Sequence, residues 1–109
     1  MSDASQIVVP ASFVALFVPP GRIKPTVAHA FILERYELCE DMATMLVDPA
    51  QTRRWELGIT EADVLLRMHR GLAGGQAGLE AAEAVWVTRR LAELLGWPDP
   101  NLSTLAPPG

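Results

Sequence analysis

Apolar side chains recur at helical spacing along most of this chain, and proline and glycine punctuate them. Residues 1–9 read as a loose apolar arm. In residues 10–18, Phe13, Leu16 and Phe17 share one face, and Pro10 suits a first helical turn; an extended, docked segment is the alternative. Pro19, Pro20, Gly21 and Pro25 make 19–25 a stiff loop. Thr26 then caps a long helix over 27–47. Val27, Phe31, Leu38, Met42 and Met45 form one stripe on it, and Ala28, Ile32, Cys39, Ala43 and Leu46 form a second beside it. Asp48 and Pro49 open a helix over 49–57 that stops at Gly58. Thr60, with Asp63 three residues on, caps a helix over 61–70 that Gly71 ends. A flexible loop over 71–78 leads to a last helix, 79–95, with Ala84, Val87, Leu91, Leu94 and Leu95 inward and Gly96 at its end. No strand-like alternation persists for five residues beyond the arm. The expectation is an all-α fold: a small bundle of about four helices forming a single domain over 10–96, followed by a disordered, proline-rich tail over 97–109.

Composition sharpens this picture. In 109 residues, 15 are Ala and 14 are Leu, and aromatic residues make up 6%. The apolar half of the chain therefore favours helix over sheet. A chain of this length buries roughly 65% of its unfolded surface, enough for one modest core. The mean hydropathy of +0.18 excludes disorder over most of the length. A net charge of −4 argues against general nucleic-acid binding. The start, MSDASQIVV, lacks the basic and apolar regions of a signal peptide, and no stretch approaches the ~20 apolar residues of a membrane span. Eight Arg against one Lys, with abundant Ala, Gly and Pro, suggests a GC-rich bacterial genome. The chain reads as a cytoplasmic protein.

Chemistry-bearing patterns are sparse. Gly71, Gly74, Gly75 and Gly78 lack the dinucleotide spacing, and the single lysine, Lys24, precedes Pro25 instead of a Ser or Thr. His29 and His69 have no His or Cys within four positions, and Glu34, Glu37, Glu40 and Asp41 read as a solvated acidic helix edge. His69 falls near a helix C-terminus, where partial positive charge suits the dipole. Cys39 lies on an apolar stripe, where a thiol behaves as a small hydrophobe. No catalytic residue, cofactor site or metal site is expected, and the chain reads as a non-enzyme.

Residues 50–71, AQTRRWELGITEADVLLRMHRG, carry the turn of a helix-turn-helix at Leu57, Gly58, Ile59 and Thr60, with Val64 turning inward. Arg54 stands four before Gly58, where that motif wants a small residue, and Arg53 stands where it wants an apolar one. Burying either guanidinium unpaired would be costly, so a generic helical hairpin is the favoured reading. The alternative is a DNA-binding regulator with Arg53, Arg54, Arg67 and Arg70 as contacts. Against it stand Glu61 and Asp63 at the start of the second helix and a surplus of only one positive charge over 51–71.

The last helix carries an interaction signal. With Val87 central on its inward face, Trp86 lies about 100° away, toward Leu79 and Ala82 and beside Arg89, Arg90 and Glu93. A Trp flanked by Arg is a frequent interface centre; the alternative is that Trp86 covers the core edge against another helix or the N-terminal arm. Phe13, Leu16 and Phe17 form a second cluster that either folds back or docks on a neighbour. The expected interface residues are thus Phe13, Leu16, Phe17, Leu79, Trp86 and Arg90, and the expected partner is a second copy or another protein.

Three stretches, FVALFVPPGRIKPT, ERYELCEDMATML and LGITEADVLLRMHRGL, resemble a family of short proteobacterial proteins sometimes labelled "ATPase with chaperone activity", over residues 10–72. The resemblance carries no catalytic residues onto this chain, which lacks the Gly-Lys-Ser/Thr of a phosphate-binding loop. It implies an accessory role near a chaperone, which agrees with a self-associating adaptor module.

Overall fold

The computed structural model describes residues 8–100. Among them there is no strand. Five helices follow in order: α1 (Ala11–Val14, continued by a 3-10 turn, Ala15–Phe17), α2 (His29–Met45), α3 (Val47–Leu57), α4 (Glu61–Ala73) and α5 (Ala81–Leu95). The all-α expectation holds, with four substantial helices. No helix among the described residues is long and apolar enough to cross a membrane. The chain divides into two compact units, Met1–Leu38 and Cys39–Gly109, and α2 contributes its first part to one and its last part to the other.

In the first unit residues 10–17 are helical, not extended. Pro10 precedes the helix with φ −60° and ψ 147°, and its carbonyl accepts from the Phe13 and Val14 amides at 3.0 and 3.1 Å. Phe13 is fully buried. Its ring meets Phe17 at 5.5 Å and the edge of Tyr36 at 5.6 Å, and Phe17 meets Phe31 edge-on at 6.1 Å. Such ring pairs add roughly 0.5–1.5 kcal/mol each beyond the area they bury. They hold the N-terminal helix on the first half of α2.

Thr26 does not cap α2. Its amide donates to the Phe17 carbonyl at 3.2 Å, and the first helical carbonyl is that of Ala28, which accepts from Phe31 and Ile32. Only one of the two apolar stripes of α2 is inside. Ile32, Cys39 and Ala43 are buried, whereas Val27, Phe31, Leu38 and Met45 stay exposed. Together the stripes span more of the helix circumference than one packed face can cover.

The second unit is built on Ala50, Val64, Leu65, Leu91 and Ala92, with Leu46, Val47, Ile59, Met68, Leu95 and Trp97 packed at the edges. α3 begins two residues earlier than expected. Its N-cap is Leu46 without a side-chain bond, Asp48 lies in the first turn, and Pro49 falls where a helix amide has no partner anyway. Gly58 ends α3 at φ 62°, a conformation that costs any residue with a Cβ about 1 kcal/mol or more. Thr60 caps α4 as expected, its hydroxyl accepting from the Asp63 amide at 3.1 Å.

Gly71 does not end α4. The helix runs on to Ala73, and Leu72 is buried one residue past the glycine. Burial of that leucine outweighs the ~1 kcal/mol by which a glycine weakens a helix. α5 opens on a reciprocal capping box in which Glu83 accepts from the Glu80 amide at 2.9 Å, and it ends at Gly96. Its inward residues are Ala84, Val87, Thr88, Leu91 and Ala92; the expected Leu94 is instead 38% exposed. The described part of the expected tail, Trp97–Pro100, is docked: the Trp97 amide donates to the Ala92 carbonyl, Asp99 pairs with Arg89, and Pro100 is buried. Residues 1–7 of the expected arm and 101–109 of the tail lie outside the described residues.

Candidate functional site

The residues singled out as an interface are largely spent inside the fold. Phe13 is fully buried, and Leu16 and Phe17 are half-buried, so this cluster folds back. Leu79, two residues before α5, is buried, and Trp86 on α5 is half-buried.

Arg90 is also engaged internally. Its Nε and Nη2 donate to the two Glu40 carboxylate oxygens at 2.9 Å each, and Nη1 donates to Glu93 at 3.0 Å. Hydrogen bonds to Glu40 and then Glu93 hold its guanidinium pKa above the ordinary arginine value. Glu40 is therefore not part of a free acidic edge; it ties α2 to α5. A second fork, Arg89 to Asp99 at 3.0 and 2.8 Å, holds the Asp99 carboxyl below the usual carboxylate range.

Large apolar side chains reach solvent elsewhere. Trp55 on α3 is 87% exposed. Asp48, Gln51 and Thr52, at i−7, i−4 and i−3, lie on its side of the helix and are exposed too. A nearly bare indole thus stands among short polar groups. A signal for it exists in the sequence. Leu46, Ala50 and Leu57 are spaced by four and seven and share one face, and Trp55 falls about 140° from Ala50. Ile23, at 91%, is the other extreme, in the loop between α1 and α2.

The helix-turn-helix segment forms a hairpin in which Val64 turns inward as expected. The close contact is displaced from the motif's position. The small buried residue is Ala50, one turn before Arg54, so neither Arg53 nor Arg54 is buried. Arg54 instead lies over the Trp97 ring at 6.0 Å. Arg67 and Arg70 are exposed on α4, while Glu61 and Asp63 occupy its first turn. A strip running from acid to base along α4 repels phosphates at the end that would enter a groove.

A shallow, open recess lies against the C-terminal half of α4, lined by Leu66, His69, Arg70, Ala73 and Gly74. His69 is buried, and no acid, thiol or hydroxyl lines the recess with it. Among the described residues no group of three or more His, Cys, Asp or Glu could hold a metal ion. Cys39 is buried, in keeping with its place on an apolar stripe.

No family model matches the chain, and comparison with curated proteins and with solved structures finds no match.

Proposed function

We propose that this chain is a small, non-enzymatic protein-interaction module that self-associates and docks a second protein as an adaptor. The observation that carries the reading is Trp55. An indole costs several kcal/mol of hydrophobic stabilisation when left in water, and Trp is a preferred interface anchor. Its 87% exposure, on a helix whose neighbouring groups are polar, is the arrangement of an anchor awaiting a pocket. The resemblance over residues 10–72 makes a chaperone system the first place to look for the partner.

A photo-crosslinking residue at position 55 tests this in the cells the protein comes from, with position 76, an exposed polar loop site, as control. The reading expects a discrete heavier adduct from position 55 that is absent from position 76. Monomer alone from both positions contradicts it.

The second reading, a DNA-binding regulator through Arg53, Arg54, Arg67 and Arg70, draws support from the capped α3–α4 hairpin and those four exposed arginines. Glu61 and Asp63 weigh against it. Binding to random duplex DNA at low salt, falling steeply as salt rises, is the behaviour it requires.

A further inference from the structure

We infer that the loop between α1 and α2 is a preformed dimerisation element, whose tip docks on the exposed stripe of α2 in a second copy of this chain. The inference rests on the interaction-module reading and names one partner for it.

The loop is closed and stiff. Its two ends meet where the Thr26 amide donates to the Phe17 carbonyl at 3.2 Å. Inside it, Pro20 and Gly21 form a tight turn, with the Arg22 amide on the Pro19 carbonyl at 3.1 Å and Gly21 at φ 80°. That is the pattern of a type II turn, with proline second and glycine third. Pro19, Pro20 and Pro25 restrict the remaining freedom. Compact loops with pinned ends are frequently functional, because little entropy is left to lose on docking.

What the loop presents is specific. Ile23 is 91% exposed and stands between Arg22 and Lys24, both exposed. Among the described residues neither base has an ion-pair partner. An isoleucine this bare at the tip of a rigid loop is unfavourable in an isolated chain.

The complement lies in the same unit. Phe31 and Leu38, 45% and 36% exposed, are seven residues apart on α2 and so share a face. Glu34 and Arg35 both fall between them; Arg35 is half-buried and already engaged in an interaction of its own, whereas Glu34, and Glu37 on the solvent side, are exposed and without an ion-pair partner among the described residues. The loop reads basic, apolar, basic; the exposed groups of the helix face read apolar, acidic, apolar. Within one chain they do not meet, since Ile23 and Phe31 both remain in water. A second copy can join them, and a two-fold arrangement makes the contact twice, each loop on the other's helix. Two such contacts make a small interface, with an expected Kd roughly in the micromolar range.

Sedimentation velocity across the micromolar range tests this, with circular dichroism as the folding control. Every substituted side chain is exposed, so the variants are expected to fold. The wild type should dimerise, and Ile23→Asp should weaken the dimer by about thirtyfold or more. The loop variant Arg22→Glu/Lys24→Glu and the helix variant Glu34→Lys/Glu37→Lys should each sediment as monomers. Their equimolar mixture should recover the dimer, because each reversed surface then faces an opposite one. A dimer that survives Ile23→Asp, or reversed variants that do not recover on mixing, overturns the inference but leaves self-association standing through another surface. A monomeric wild type overturns it outright, while the adaptor reading is still judged by crosslinking from position 55. A monomeric wild type that binds anionic vesicles through Ile23 would likewise overturn it, assigning the loop to a lipid surface.

Discussion

Arg90 grips Glu40 with a two-point fork, Nε to Oε1 and Nη2 to Oε2 at 2.9 Å each, across fifty residues of sequence. Both side chains are largely but not fully covered, at 33% and 26% exposure. The pair is thus partly shielded from solvent without the full penalty of burying two charges. Arg90→Ala should lower stability by about 1 kcal/mol, or a melting temperature roughly 4–8 °C lower. Arg90→Lys should recover little of it, because an ammonium cannot fork. Thermal melts of Arg90→Ala, Glu40→Ala and the Arg90→Ala/Glu40→Ala double variant close a double-mutant cycle that measures the coupling.

Asp99 carries a pH signature. The hydrogen bonds from Arg89 hold its folded-state pKa below the unfolded value. The stabilisation from this pair is therefore complete above the ordinary aspartate range and is lost as the pH falls through the depressed value. It is small, since both side chains are more than half exposed. A carboxyl-carbon NMR titration should place Asp99 below an ordinary aspartate, and Arg89→Ala should return it to that range.

Gly71 offers a stabilising change. It lies inside α4 without a positive φ, and a Cβ added there would meet nothing within 4 Å. Gly71→Ala should raise stability by about 0.5–1 kcal/mol, read from urea or thermal unfolding.

The α3–α4 contact can be located by substitution. Ala50 is fully buried, so Ala50→Leu should cost about 1–3 kcal/mol through overpacking. Arg54→Ala removes only an exposed cation–π contact and should cost less than about 1 kcal/mol. The reverse order would return the helix contact to the position of the regular DNA-binding motif.

Helix existence was legible wherever the signal was local: the Thr60 cap, the stops at Gly58 and Gly96, and the periodic runs between them. Facing was harder to read. On α2 two neighbouring apolar stripes satisfy the same periodicity, and only tertiary packing chooses Ile32, Cys39 and Ala43 over Phe31, Leu38 and Met45. The end of α4 was misplaced because a glycine's local preference yields to the burial of Leu72. The candidate site was less legible still. Arginine beside tryptophan on α5 looked like an interface, yet Arg90 is claimed by Glu40, an ion pair that no local pattern reveals. Trp55 is readable only through facing: the spacing of Leu46, Ala50 and Leu57 turns it about 140° away from Ala50, a signal easily masked by the general expectation that a tryptophan is buried.

A partner that covers Trp55 in the cell, as proposed above, would shield an indole that is 87% exposed in the isolated chain. Hydroxyl-radical footprinting, read by mass spectrometry and scaled to half-buried Met68, measures this at the residue itself. The expected result is heavy oxidation of Trp55 in the purified protein and strong protection in the cells the protein comes from. Equal oxidation in both settings would contradict it.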